Sequence, residues 1–184
     1  RSENFLLRAI YEPRQGKSFA LNRGIREAKG DLILFTDDDV VPAQDWLLAF
    51  SRAATTHSEV SLFAGQVRHY WEKTPPNWLA QLAKEGRSYG GTPVHLTDGP
   101  LDIGHVKGCN LMVRRYVCED ISFLEEPGVN FTGQGLSYGG EDTDFVDRAL
   151  ALGYQGRYVS GAVNQHIVRI EQVGLIPVAR RYYR

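Results

Sequence analysis

The apolar run Leu32-Ile33-Leu34-Phe35-Thr36 ends directly on three aspartates, Asp37, Asp38 and Asp39. A short apolar stretch of this kind reads as a buried strand, and the charges that follow mark the point where the chain emerges from the sheet. Open α/β sheets bind ligands at the carboxyl ends of their strands, so the carboxylates stand where a site is expected. Crowding them costs Coulomb repulsion, which a hard cation such as Mg²⁺ or Mn²⁺ relieves by accepting oxygen ligands, with substrate phosphates completing its shell. The plainer reading of the same residues is a solvated acidic turn, with Asp38 or Asp39 capping the next segment.

Around that strand the pattern alternates. Residues 5–12 read as a strand and residues 13–17 as a loop. Ser18 reads as an N-cap, followed by a helix that places Phe19, Leu21, Ile25 and Ala28 on one face and stops at Gly30. After Pro42, residues 43 to about 56 read as a second helix. Strand, helix, strand, helix predicts an α/β chain with a mainly parallel sheet and right-handed crossovers. Further on, residues 61–70 and 106–114 read as strands, the latter interrupted by Gly108, and residues 75–84 as a short helix. Residues 86–99 read as a glycine-rich loop and residues 128–140 as a mobile one. The second loop leads into a helix from Glu141 that Gly153 terminates, and residues 171–184 read as a C-terminal helix.

Composition narrows the function classes. A chain of 184 residues with 42% hydrophobic residues supports one folded domain, here taken as residues 1–184. With 21 basic against 22 acidic residues and no extended basic block, nucleic acid is not an expected partner. Cys109 and Cys118 lack a neighbouring Cys or His at metal-ligand spacing, so both read as packed side chains of a reduced, cytoplasmic protein. No apolar stretch approaches the roughly 20 residues that span a bilayer, and no signal-peptide pattern opens the sequence. Any membrane contact is expected to be peripheral, at the inner face; the basic end Arg180-Arg181-Tyr182-Tyr183-Arg184 reads first as a solvated helix end.

Two further features carry chemistry. Glu141 and Asp142 open a helix, where the dipole favours carboxylates without any function. They also follow Gly139-Gly140 and a loop able to act as a lid, which suits a general base. His166 ends a strand-like segment; a lone histidine is more often structural, but at a strand end it can join distant carboxylates around a metal.

Taken together, these motifs are familiar. The stretch from Gln15-Gly16-Lys17-Ser18 through Asn22-Arg23-Gly24-Ile25, then Ala28-Lys29-Gly30-Asp31 to Asp39, Pro42 and Trp46-Leu47, resembles family 2 glycosyltransferases of the GT-A fold. So does the later order Gly108-Cys109-Asn110, Gly139-Gly140-Glu141-Asp142, Arg148-Ala149, Gly153 and His166.

The resemblance implies inverting transfer of a sugar from a nucleotide-diphosphate donor to a hydroxyl of a glycan or lipid-linked glycan. By position it makes Asp37 and Asp39 the D-x-D pair. Asp37 then faces the donor ribose and the metal, Asp38 stands among the donor contacts, and Asp39 ligates Mn²⁺ or Mg²⁺. His166 matches a histidine that contributes to that metal in some relatives. Asp142 matches the base that takes the acceptor proton, and Glu141 holds the acceptor. Arg14 and Lys17 lie where the family loop approaches the donor, and Gly108 where backbone passes the donor sugar. Tyr70, Trp71, Trp78 and Tyr89 fall between the acidic motifs, where aromatic faces could stack on sugars or pack in a core, and Trp78 is taken as a substrate contact.

One departure accompanies the resemblance. Two strand-helix units that precede residues 5–12 in the family, and bear on the nucleotide base, have no counterpart here. The chain therefore reads as an N-terminally truncated member. Either residues 5–12 pair beside 32–36, or a second copy covers that exposed sheet edge in a homodimer. The competing reading is a catalytically inactive fragment serving as a binding or interaction module. A dehalogenase-type phosphatase lacks its downstream lysine motif, and a sugar nucleotidyltransferase its glycine-rich phosphate loop near the start.

Overall fold

The computed structural model describes residues 7–125 and 140–182. Most of the expected loop 128–140, residues 5 and 6, and residues 183 and 184 lie outside the described residues. Among those described, six strands make one sheet: β1 (Leu32–Phe35), β2 (Val40–Pro42), β3 (Val60–Trp71), β4 (Gly99–Pro100), β5 (Leu111–Arg114) and β6 (Gln155–Val168). The order is β1-β5-β3-β6-β2, with β4 also against β6. Around the sheet lie α1 (Lys17–Glu27), α2 (Trp46–Thr56), α3 (Asn77–Lys84), α4 (Val117–Asp120), α5 (Glu141–Ala151) and α6 (Leu175–Tyr182).

The sheet is mixed and helix-flanked, as expected, but its parallel share is smaller than the alternation predicted. Only β3 and β6 pair in parallel among the described strands; β5 is antiparallel to both β1 and β3, and β6 to both β2 and β4. The reason is visible in the order. β1 and β3 do run in the same direction, as a crossover through α2 requires, but β5 is inserted between them in the opposite sense.

Several local expectations need correction. Residues 7–13 carry no regular structure, so the strand expected at 5–12 does not form over its described part, 7–12, and β1 pairs with β5 alone among the described residues. Helix α1 starts at Lys17 behind Gly16, and Ser18 is buried inside its first turn, so Ser18 is not the cap. Its end is Ala28 in an extended conformation, not a left-handed Gly30. Gly153, at φ +92, does terminate α5. The strand expected at 106–114 shortens to β5, because two 3₁₀ turns, Ile103–His105 and Gly108–Asn110, precede it. The C-terminal helix starts later than expected, at Leu175, after a 3₁₀ turn at Ile170–Gln172.

Alternation along the strands divides the core in two. Ile33 and Phe35 of β1, Leu62 of β3, and Leu111 and Val113 of β5 face Phe123, Phe145, Val146 and Ala149, with Leu21 and Ile25 of α1 packed alongside. The rings of Phe123 and Phe145 stack at 4.5 Å between centroids. Phe63 and Met112 point the other way, onto Trp46, Phe50 and Ala54, which recur every four residues along α2. Burying each such side chain contributes about 1.5–3 kcal/mol. A smaller cluster of Leu79, Tyr89, Val168 and Val178 closes the far ends of β3 and β6.

One buried polar residue organises the middle of the sheet. The β3–β6 register shifts between Gly65 and Gln66, whose partners are Val159 and Val163. Asn110, fully buried, spans that irregularity: its Nδ2 donates to the carbonyls of Gln66 (2.9 Å) and Ala162 (2.8 Å), and its Oδ1 accepts from Trp46 Nε1 (2.7 Å). The side chain thus replaces ladder bonds that the bulge removes. Gly65 leaves room for it, since a Cβ there would lie 2.3 Å from the Ala162 carbonyl oxygen.

Candidate active site

The carboxyl end of β1 and the N-termini of α1 and α5 meet at one narrow cleft. It is lined by Lys17, Phe35, Thr36, Asp37, Gly108, Leu111, Phe123, Glu141 and Asp142, with Leu21 behind, and has about 10 Å³ of free space. Both helices begin behind a glycine in a conformation other residues rarely adopt, Gly16 at φ 137 and Gly140 at φ 139, and neither start has a side-chain cap. At α1 this leaves the first N–H groups and the positive dipole end without a capping side chain in the way, whereas at α5 the Glu141 and Asp142 carboxylates accept from the N–H groups of 140, 141 and 143.

Lys17 joins the two acidic motifs. Its Nζ lies 3.0 Å from Glu141 Oε1 and 3.4 Å from Asp37 Oδ1. Burial alone would pull the ammonium pKa down, but Asp37 and Glu141 outweigh it and raise it above the usual lysine value. Burial likewise presses Glu141 upward. Hydrogen bonds from the backbone N–H groups of 140 and 141 and from Lys17 outweigh this and hold Glu141 below the usual carboxylate value.

Asp142 is fixed differently. Its Oδ2 accepts from Gly108 N–H at 2.5 Å and its Oδ1 from Thr143 N–H at 2.9 Å. A carboxylate has about four acceptor positions, so each oxygen keeps capacity for an incoming hydroxyl. Gly108, expected beside a donor sugar, lines the cleft and packs on this carboxylate: a Cβ at 108 would sit 3.1 Å from Asp142 Oδ2. Lys107 adjoins the same group, and burial lowers its pKa despite the Asp142 charge.

On the same loop as Asp37, Asp39 Oδ2 lies 3.3 Å from His166 Nε2. The β2–β6 pairing brings them together, with Val40 opposite His166 and the Ile167 N–H donating to the Asp39 carbonyl at 2.8 Å. Cys109 lies under both groups and feels the charges of Asp37, Asp39, Asp142 and Lys17; burial pushes its thiol up to about 12, so it is not a nucleophile. Cys118 is likewise free and raised, to about 11, by burial.

Of the expected metal set, Asp39 and His166 stand together while Asp37 stands apart from them, beside Lys17. No group of three metal-ligating side chains is gathered among the described residues. The Asp39–His166 pair does fit a divalent ion. One carboxylate oxygen and one imidazole nitrogen converge, and the other ring nitrogen, Nδ1, is buried without a partner among the described residues, as in a histidine whose ring is fixed only when the metal is bound.

Three expected contacts lie elsewhere. Arg14 pairs with Glu12 at 2.6 Å and Glu125 at 3.1 Å and covers the Phe19 ring, so it belongs to the outside of α1. Asp38 is exposed and does not line the cleft. Trp78 is 40% exposed on α3 and does not line it either. Of the other aromatics, Trp71 and Tyr89 pack edge to face in the third core cluster, whereas Tyr70 is exposed. Sequence reading gave no role to Asn110 and Asn164, both fully buried; the available signal was an asparagine inside an otherwise apolar strand context.

No helix among the described residues is long and apolar enough to cross a membrane. Among curated proteins no sequence matches this chain. The crystal structure of a mycobacterial protein superposes over 91% of this chain and 49% of its own, with a TM-score of 0.50 and 20% identity. The crystal structure of GalNAc-T7 with UDP, GalNAc and Mn²⁺ superposes over 94% of this chain and 34% of its own, with a TM-score of 0.55 and 15% identity. The chain thus spans about half of the first protein's length and a third of the second's, and the likeness is one of fold, that of GT-A glycosyltransferases. The profile described as Glycosyl transferase family 2 matches residues 2–122, a stretch that holds Lys17 and Asp37 to Asp39 and ends before Asp142 and His166. With about two thirds of its length matched, the chain belongs to glycosyl transferase family 2.

Proposed function

We propose that this domain transfers a sugar, with inversion, from a nucleotide-diphosphate sugar to a hydroxyl on a glycan or lipid-linked glycan. The observation that carries the reading is the convergence of Lys17, Asp37, Glu141 and Asp142 on one cleft, with Asp39 of the adjoining loop paired to His166 of β6. These residues come from four separate parts of the chain.

In this reading Asp142 is the general base. The acceptor oxygen attacks the anomeric carbon as its proton passes to an Asp142 oxygen. The new C–O bond forms while the bond from that carbon to the phosphate oxygen breaks, and the electron pair leaves with the diphosphate. The N–H groups of Gly108 and Thr143 hold the carboxylate in place and aim it at the incoming hydroxyl. Glu141, held by Lys17, orients the acceptor. Lys17 and the N-terminus of α1 supply positive potential for the diphosphate. Asp39 and His166 would hold Mn²⁺ or Mg²⁺, which when bound stabilises the charge of the leaving group.

Two protein ligands bind such an ion weakly, and diphosphate oxygens strengthen the site. Calorimetric titration of Mn²⁺ should therefore show affinity at least tenfold higher with a nucleoside diphosphate present than without. Tight Mn²⁺ binding by the protein alone, unchanged in Asp39→Ala, would overturn the assignment.

A further inference from the structure

Asn164 is fully buried in β6, two residues before His166. Its Nδ2 donates to the Cys109 carbonyl at 2.6 Å, while its Oδ1 is buried without a hydrogen-bond partner among the described residues. An unpaired buried amide oxygen is unfavourable and calls for a reason. A second atom without a partner among the described residues, His166 Nδ1, is buried on the same strand. Residues two apart on a strand share a face, with Cα atoms roughly 6.5 Å apart, so the two side chains are neighbours.

The orphaned atoms are complementary. When His166 Nε2, the nitrogen turned to Asp39, is a metal ligand, Nδ1 carries the proton and needs an acceptor. Metal-bound histidines are normally oriented by such an acceptor on the far ring nitrogen. The other end of Asn164 holds the turn whose first residue, Gly108, donates to Asp142. We propose that Asn164 is a positioning residue with two tasks: its Oδ1 accepts the His166 Nδ1 proton in the metal-bound state, and its Nδ2 ties that histidine to the turn that aims Asp142. One buried amide then sets the distance between the metal-side ligand and the base.

This inference rests on the proposed metal role of His166, and its test separates the two. Mn²⁺ affinity in the presence of a nucleoside diphosphate is measured for the full chain, Asn164→Ala, Asn164→Asp, His166→Ala and the double variant His166→Ala/Asn164→Ala. Thermal melting establishes that each is folded. If His166→Ala leaves affinity unchanged, the metal assignment itself is wrong. If it lowers affinity, Asn164→Ala should lower it about 10- to 100-fold, and should cost nothing further in the double variant. Asn164→Asp keeps an acceptor and loses the donor, so Mn²⁺ affinity should stay within about threefold of the parent. With Mg²⁺, the ¹⁵N spectrum of the His166 ring should show a protonated Nδ1 in the parent and in Asn164→Asp. Equal Mn²⁺ affinity in Asn164→Ala and parent, or an additive loss in the double variant, would overturn the proposal. Should Asn164→Ala not fold, the spectrum of the parent decides: an unprotonated Nδ1 in the Mg²⁺-bound state contradicts it.

Discussion

Lys17 and Glu141 are 124 positions apart in the chain, yet Lys17 Nζ lies 3.0 Å from Glu141 Oε1, and this contact joins the start of α1 to the start of α5. Since Lys17 also reaches Asp37, one ammonium balances a carboxylate from each acidic motif. The consequence for pH follows from both shifts. Glu141, lowered in the folded chain, stabilises it above the ordinary glutamate value of 4.5 and loses that contribution as pH falls through its folded value. Lys17, raised in the folded chain, stabilises it below the ordinary lysine value of 10.5 and loses that contribution as pH rises through its own.

Lys17→Met should therefore destabilise the protein most between about pH 5 and pH 10, with the difference from the parent narrowing at both extremes. The loss should be roughly 1–2 kcal/mol, below that of a fully buried pair because the Lys17 side chain is 40% exposed. Urea unfolding across the pH range measures it. A difference independent of pH would show that the ion pairs do not set the stability of the cleft.

Asn110→Leu removes the partner of three buried groups at once: the Trp46 indole N–H and the carbonyls of Gln66 and Ala162. Leaving a buried polar group unpaired costs about 1–3 kcal/mol each, so a loss of about 3 kcal/mol or more is expected by urea unfolding. A loss under about 1 kcal/mol would mean that the bulge is held by other contacts.

Gly65→Ala forces a Cβ to within 2.3 Å of the Ala162 carbonyl oxygen and 2.4 Å of Asn110 Nδ2. Backbone must move to accept it, and overpacking of this kind costs about 1–3 kcal/mol or more. A thermal melt unchanged from the parent would contradict the close approach of β3 and β6 at this point.

Arg14 provides a negative test. Paired with Glu12 and Glu125 and lying over Phe19, it makes no contact with the cleft. Arg14→Ala should leave nucleoside-diphosphate affinity within about twofold by calorimetry, whereas a tenfold loss would return Arg14 to the donor site.

The parts of the fold legible in the sequence were those set by local chemistry. The apolar run of β1, the apolar face of α1 carrying Leu21 and Ile25, and Gly153 beyond α5 each follow from side-chain period or backbone freedom. The insertion of β5 between β1 and β3 was not legible, because strand neighbours are chosen by long-range packing that leaves no trace in either strand's pattern. Residues 5–12 have strand-like composition, but such propensity needs a partner, and the described part, 7–12, pairs with no described strand.

The candidate site divides in the same way. Asp37, Asp39, Glu141, Asp142 and His166 were picked out by residue type at the ends of elements, and the structure brings Asp37 to the Glu141 pair and Asp39 to His166. Arg14 and Trp78 were picked out by position alone, which does not fix where a long side chain points. Glu12 and Glu125 capture Arg14, and nothing in the sequence forecast that. The brace of Asn110 and Asn164 depends on contacts among β3, β6, the Gly108–Asn110 turn and α2, and became visible only once the sheet order was known.

The central claim is that Asp142 takes the acceptor proton in a sugar transfer. The direct measurement is release of nucleoside diphosphate from a panel of nucleotide-sugars with Mn²⁺ and glycan acceptors, comparing the parent with Asp142→Asn. The account predicts that the parent turns over at least one donor. Asp142→Asn should lower that rate by about 10²- to 10⁴-fold while donor affinity stays within about threefold. An unchanged rate in Asp142→Asn, or a parent inert toward every donor, would contradict it.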